Sequence, residues 1–483
     1  MMEKFTVLPL CVLLLLLTIF LCSEASAHND DALCGFPVVT RDQRTIIVET
    51  ELGEISAVEI NDGCGIRGKH HIHFITLDPN ALLLPVLLHS DMVFFVHTGS
   101  GNLTWVDEDK ETMTEIRRGD VYRLRPGTIF YIQSNLETEV REKLRVYAFF
   151  SGNEANIYDP CFGPYSSIRE LLFSFDERIL RAAFAVPEEV IETLRNATKP
   201  PLIVQGLTKN RTEGSEDYSW QLQSRFLKLF VGDEDGDLGL DPIIDMTNKK
   251  KKKTKKRTYN VFEADPDFEN CNGRSITVNK KDLHALKGSS VGVFMVNLTK
   301  GSMMGPHWNP RACEISIVLR GKGMIRVVGS SEEIMKEKKC KSKRLMVGEG
   351  DVFAVPRFHA MAQMSFNNDS FVFMGFSTSA RTNYPEFIAG KSSVLRLLDR
   401  NVLAATLNVS NNTTDLLLGA QKEGVMLECT SCAEEELARL MEEIQQEKEE
   451  EEARNREGER KREGEEARRE AEEREMRWGG RGR

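Results

Sequence analysis

An internal repeat restricts the fold of this chain more than any other feature. The stretch VFFVHTGSGNLTWV (93–106) is echoed by ISIVLRGKGMIRVV (315–328). Each is an apolar run that reaches Gly-x-Gly and continues as an alternating apolar and polar segment. RRGDVYRLRPGTIFYIQSN (117–135) is echoed in the same order by GEGDVFAVPRFHAMAQMSF (348–366): Gly-Asp, an apolar run, a Pro-bearing turn, a second run. ILRAAFAVPEEVIETL (179–194) is echoed by VLAATLNVSNNTTDLL (402–417). Strands followed by helices therefore occur twice, which implies a duplicated domain. The runs are rich in β-branched and aromatic residues, alternate with period two and end at Gly or Pro, so they predict strands. Many short strands of this kind imply a mainly β fold, with an antiparallel barrel or sandwich in each half.

Helices follow each strand region. In SSIRELLFSFDERILRAAF, the apolar Ile168, Leu171, Leu172 and Phe175 share one helical face. Pro187 suits the first turn of the next helix, and Ser410 can cap its counterpart in the second half. Between the halves, NKKKKKTKKR (248–257) repels itself and reads as an exposed linker; a processing site is the alternative, because an exposed basic loop is easily cut. After Cys432, Leu437, Leu440, Met441 and Ile444 fall at helical spacing. The Glu/Arg-rich remainder has too little apolar surface to form a core. Pairs such as Glu450 with Arg454 favour helix at spacing four, while Gly458 and Gly464 weaken it. A fluctuating, solvated tail is expected.

The N-terminus carries Lys4, an apolar run from Leu8 to Leu21, and Ala25-Ser26-Ala27. That pattern is a secretory signal peptide cut after Ala27; the run is short for an anchor, so no membrane is expected for the mature form. Of 10 cysteines, Cys34, Cys64, Cys161, Cys271, Cys313, Cys340, Cys429 and Cys432 remain in an oxidising route. Their connectivity is open. Cys34 and Cys64 suit each other because both flank the start of the first folded unit. Cys429-Thr-Ser-Cys432 reads as a redox motif or a structural bridge, and no thioredoxin-like strand-helix pattern surrounds it. Glycan acceptor sequons occur at Asn102, Asn196, Asn210, Asn297, Asn368, Asn408, Asn411 and Asn412. A net charge of −10 argues against a general nucleic-acid binder.

One constellation carries chemistry. GPHWNPRACEISIVLRGKG and GDVFAVPRFH supply His307, Asn309, Glu314 and His359. Imidazole nitrogen and carboxylate oxygen suit a divalent ion of the Mn, Fe, Cu or Zn type. Residues two apart on a strand share a face, so His307 and Asn309 can converge. Pro310 breaks the strand and lets Glu314 enter from the next one; His359 follows the Pro356 turn. Two histidines and a carboxylate form a facial triad with open positions. Asn309 is at best a weak fourth ligand. The competing reading makes the histidines satisfied core residues, with Cys313 a rival soft ligand or half of a disulfide. In the first half, alignment on Gly-x-Gly puts Pro85, Leu87 and Met92 in the places of His307, Asn309 and Glu314, and Thr128 near that of His359. None is a ligand, so the first barrel is expected to be chemically empty.

These motifs resemble the cupin superfamily, with Asn309 standing where the first motif has its second histidine. Together with GDVYRLRPGT, LLFSFDERILRAAFAVPEEVIETL and AGKSSVLRLLDRNVLAATLNV, they make the chain similar to the vicilin-type seed storage globulins over roughly Cys34 to Glu428. The resemblance implies two jelly-roll barrels, each followed by a helical arm. With the leader (1–27) and the charged tail (433–483) read from composition, the chain divides into a barrel (34–165), an arm (166–200), a connecting region (201–257), a second barrel (258–382) and a second arm (383–428). The resemblance also implies homotrimers, delivery to protein storage vacuoles with secretion outside the cell as the alternative, and a non-catalytic nutrient reservoir. Two other functions stay open: a metal-dependent oxidase or dioxygenase acting on a small acid, and a bicupin that binds a sugar or other small ligand in the second barrel.

Overall fold

The computed structural model describes residues 38–60, 70–107, 110–136, 141–151, 163–206, 258–328, 342–379 and 384–442, with scattered helical positions to 456. The predicted leader, Cys34, Cys64, Cys161, Cys340, Asn210, the basic linker and most of the charged tail lie outside them.

Each half folds as two facing antiparallel sheets. In the first half one sheet contains strands Asp120–Leu124, Asp91–Thr98, Leu144–Ser151, His70–Leu77, Gly53–Ile60 and Thr45–Thr50. The other contains Tyr165–Ser167, Ala81–Leu88, Ile129–Ser134, Ser100–Asp107 and Lys110–Arg117. The second half repeats this order strand for strand. Val352–Val355, Glu314–Arg320, Phe371–Ser377, Gly292–Leu298, Gly273–Val278 and Phe268–Asn270 form one sheet. Ser342–Val347, Gly323–Val328, Met361–Ser365, Ser302–Trp308 and Glu386–Phe387 form the other. Side chains alternate along each strand, so one face fills the barrel and the other meets something else. In the first barrel, Ile75, Leu77, Phe94, Val96 and Phe130 pack inward. In the second, Val318, Ile325, Phe353 and Phe373 do so. The outward faces of the two larger sheets pack on each other through Ile72, Phe95, Phe149, Val293, Ile317 and Phe376. Phe149 and Phe376 stack with ring centroids 4.9 Å apart.

The two halves also exchange edges. Val38–Val39 pairs with Val352–Val355 of the second barrel, and Tyr259–Asn260 pairs with Asp120–Leu124 of the first. Boundaries drawn at 34 and 258 therefore each leave a strand with the wrong partner. The arms are likewise excursions rather than appendages: Ile203–Gln205 returns to pair with Ala81–Leu88, and Met426–Glu428 returns to Ser302–Trp308.

The Gly-x-Gly turns have a steric cause. Gly99 and Gly321 have φ of 72° and 81°. A Cβ at Gly321 would collide with the Ser370 carbonyl oxygen, and one at Gly99 would crowd Leu144. Glycine is required where φ is positive and backbones approach this closely.

The first arm differs from its predicted form. Helix Ile168–Phe173 stops at Ser174, and Asp176 caps a new helix, Glu177–Phe184, by accepting from the Ile179 N–H. Ile168 and Leu172 are buried, whereas Leu171 and Phe175 are exposed. Pro187 precedes helix Glu188–Asn196, and the Ser410 hydroxyl accepts from the Thr413 N–H at the start of Asn411–Gly419.

Candidate functional site

Three of the four candidate ligands lie at one end of the second barrel. His307 stands near the end of Ser302–Trp308, Asn309 follows it, and Glu314 opens the next strand. All three are buried. The His307 Nδ1–H donates to the Gly305 carbonyl at 2.8 Å. That bond fixes the tautomer, so Nε2 carries a lone pair, and this buried atom has no partner among the described residues. Burial drives the His307 pKa down to about 4 and the Glu314 pKa up to about 7, the latter partly offset by the neighbouring Asn309 side chain. The pair is therefore neutral over most of the mildly acidic range.

His359 is placed differently. It is half-buried in the turn before Met361–Ser365, with Nδ1 3.3 Å from the Arg357 carbonyl. Phe358 adopts φ 68° there and donates its N–H to the Asn309 carbonyl. The residue opposite His307 in the sheet is Met361. Among the described residues, no three His, Cys, Asp or Glu side chains come together as a metal-holding group, so the triad expected from His307, Glu314 and His359 is not assembled. The barrel interior instead adds groups that the spacing did not flag. Ser316 and Gln363 are fully buried, and the Ser316 hydroxyl and Gln363 Oε1 lack partners among the described residues. Gln363 Nε2 lies 3.3 Å from Met361 Sδ. The result is a polar interior with two metal-type donors and several small hydrogen-bonding groups. Cys313, beside Glu314, is a buried thiol.

Strand pairing refines the comparison with the first barrel. Val86 pairs with Phe130 and Ser167, as His307 pairs with Met361 and Phe387. Val86, rather than Pro85, thus occupies the His307 position. The first barrel still holds buried polar groups. His73 lies on the same face of its strand as the inward-packed Ile75 and Leu77. Its Nδ1 shares a hydrogen bond with the Tyr165 hydroxyl at 3.1 Å, and its ring meets Phe150 edge-on. Burial pushes its pKa down to about 3. His89 shares a 2.6 Å bond with Ser166. The strand pattern alone could have placed His73 inward, since it falls in phase with Ile75 and Leu77.

Among the sequons, Asn196, Asn368, Asn408, Asn411 and Asn412 are exposed, while Asn102 and Asn297 are half-buried within strands. Cys429 and Cys432 are joined to each other. No helix of the described residues is long and apolar enough to cross a membrane.

Comparison with known proteins agrees with this architecture. The cupin family model matches residues 259–415. A vicilin-like seed storage protein of Arabidopsis thaliana is 58% identical over 456 residues, covering 92% of this chain; the chain spans 62% of that relative's length. A second vicilin-like seed storage protein of Arabidopsis thaliana is 56% identical over 465 residues, covering 92% of this chain and 86% of the relative. The crystal structure of vicilin from Corylus avellana superposes with a TM-score of 0.61 at 19% identity, over 81% of this chain and 98% of that one. A vicilin from Solanum melongena, described as holding different anionic ligands in structurally similar pockets, gives 0.62 at 18% identity, over 81% and 97%. Twin jelly rolls with exchanged edges, returning arms and these degrees of identity lead to one conclusion: the chain belongs to the vicilin-like seed storage proteins, bicupins of the cupin superfamily.

Proposed function

We propose that this protein is a non-catalytic nutrient reservoir of the seed, carried through the secretory pathway to the protein storage vacuole and packed there as a homotrimer. The observation that carries the reading is 56% identity over 86% of the length of a relative named as a vicilin-like seed storage protein. The arms support the assembly. Phe175 and Ile179 in the first, and Leu397, Leu416 and Leu417 in the second, are exposed, as surfaces awaiting a neighbouring subunit would be. Storage predicts that transcript and protein rise steeply in maturing seed, that the protein localises to storage vacuoles, and that it disappears on germination. Low, constant abundance in leaf would overturn it.

A second reading concerns the second barrel alone. The unpartnered His307 Nε2 favours a held ligand. His307 and Glu314 are two donors for a Mn, Fe, Cu or Zn ion, and the ion's remaining positions would have to be filled by other groups. A small molecule that donates hydrogen bonds to Nε2 and Gln363 Oε1 suits the same interior. Elemental analysis of protein from its native tissue separates the two. Near-stoichiometric metal that is lost on His307→Ala supports the ion; metal-free protein leaves the small molecule.

A further inference from the structure

The outer face of one sheet in the second barrel carries a row of sulfur atoms. Register aligns Met303 with Met364, Met364 with Met324, and Met324 with Met346, across four adjacent strands. Directly paired residues project from the same face of a sheet. Their strand neighbours Met304, Met361, Ile325 and Val347 pack inside the barrel, so the four thioethers form a ladder outside it. The chain returns over this ladder after the second arm. Strand Met426–Glu428 pairs with Ser302–Met304, and residues 430–442 continue as a helix.

This return lays Cys429 and Cys432 on the ladder. Cys429 Sγ is 3.4 Å and Cys432 Sγ 3.9 Å from Met364 Sδ. Cys429, Met364 and Met324 are buried with Phe366 and Ala433, and Met303, Cys432 and Leu437 pack against them. Methionine is an adaptable core filler, and packing alone would account for Met324 and Met364. Packing does not account for a cysteine pair, Cα atoms 5.1 Å apart and closed as a disulfide, with both sulfurs directed at one thioether.

We propose that, once this disulfide is opened by a dithiol reductant, the Cys429 and Cys432 thiolates and the Met364 thioether together hold one soft monovalent metal ion, Cu(I). Thiolate and thioether ligands select Cu(I) over harder ions. The opening balances as a two-electron exchange. A thiolate of the reductant attacks Cys432 Sγ, the more accessible sulfur; the S–S bond breaks and Cys429 leaves as thiolate. The reductant's second thiol then attacks its own sulfur in the mixed disulfide, so Cys432 leaves as thiolate and the reductant, having given up two electrons, departs as a cyclic disulfide. Cu(I) replaces the thiol protons, so binding releases protons and strengthens as pH rises. Placement of the pair at the start of a helix favours the thiolates. The closed disulfide offers no thiolate, which makes the site redox-gated. It lies on the opposite side of the sheet from His307, and it stands independently of the storage reading.

The test uses the full chain, reduced with a dithiol, freed of it without oxygen, and titrated with Cu(I) against a chromophoric Cu(I) chelator. The reduced protein should retain one more equivalent than the Cys429→Ser/Cys432→Ser variant, with near-ultraviolet thiolate-to-copper absorption. Met364→Leu, which keeps the packing, should weaken that equivalent by about 10-fold or more, and Cys271→Ser, at an exposed cysteine away from the ladder, should leave it unchanged. Wild type that competes no better than the double serine variant would overturn the proposal. So would Met364→Leu binding as tightly as wild type, or loss of the equivalent in Cys271→Ser.

Discussion

At the scale of single residues, His307 and Glu314 show how burial sets chemistry. Both are held neutral by desolvation, and their effects on stability have opposite signs. Glu314 has a folded pKa of about 7 against an ordinary 4.5. The folded state thus keeps a proton that the unfolded chain loses, and this contribution to stability declines as pH rises from 4.5 to 7. His307, pushed down to about 4 from 6.5, does the reverse: its contribution is lost as pH falls from 6.5 toward 4. His73 and His97, lowered to about 3 and about 4 by burial, add to that acid limb. Glu314→Gln removes the first effect alone. The variant should gain on wild type as pH rises, by as much as about 3 kcal/mol between pH 4 and 8, read as a diverging pair of urea midpoints; parallel profiles would disprove the buried carboxyl. The strand ends that carry His307 and Glu314 were legible in the sequence, because the apolar runs and the Pro310 break mark where one strand stops and the next begins; Asn309 lies just past the first strand rather than in phase on it. His359 was misplaced for a local reason. Phe358 takes a left-handed conformation usually left to glycine, so the strand begins only at Met361.

At the scale of elements, the repeated strands, their turns and the capped arm helices were readable, since each carries its own periodicity or cap. The edge exchange was not. Val38–Val39 and Tyr259–Asn260 are two residues each, too short to show alternation, and their partners are chosen by tertiary packing. The exchange is reinforced on both sides. Arg41 N–H donates to Asp351, Arg44 donates to the Gly350 carbonyl, and the Arg44 guanidinium lies over the Phe74 ring. Reciprocally, Asp91 and Arg123 form a buried ion pair at 2.5 Å in the first barrel. Asp91 also accepts from Ser289 at 2.6 Å, and Arg123 donates to the Ala285 and Lys287 carbonyls at 3.2 and 2.8 Å, all in the second half. Removing one partner strands a buried charge, so Asp91→Ala should cost about 3–5 kcal/mol in chemical denaturation. Asp91→Leu with Arg123→Met removes both charges and should cost clearly less. Equal losses would mean that the clamp to residues 285–289, rather than the stranded charge, dominates.

At the scale of the whole molecule, the proposed trimer would be made through the arms. The first exposes Phe175, Ile179 and Phe184; the second exposes Leu397, Leu398, Val402, Leu416 and Leu417. A lone subunit would leave these side chains in water, between exposed charges such as Asp176, Arg178, Arg181, Asp399 and Arg400. Duplication gives each chain two similar but non-identical arms, one after each barrel. A contact between the first arm of one subunit and the second arm of the next is heterologous, and it ends growth only by closing into a ring. Two-fold pairing would need a self-complementary patch and would leave the other arm uncovered. Each leucine buried at such a contact contributes about 2 kcal/mol. Leu416→Glu with Leu417→Glu should therefore weaken each contact by about a thousandfold, beyond the effect of any new repulsion. Light scattering on the purified protein should give the mass of a trimer for wild type and of a monomer for the double variant. Ile46→Glu, exposed but remote in sequence from both arms, should leave the trimer intact. A double variant that remains trimeric would show that the arms are not the contact, and trimer loss on Ile46→Glu would move it to the barrel edge.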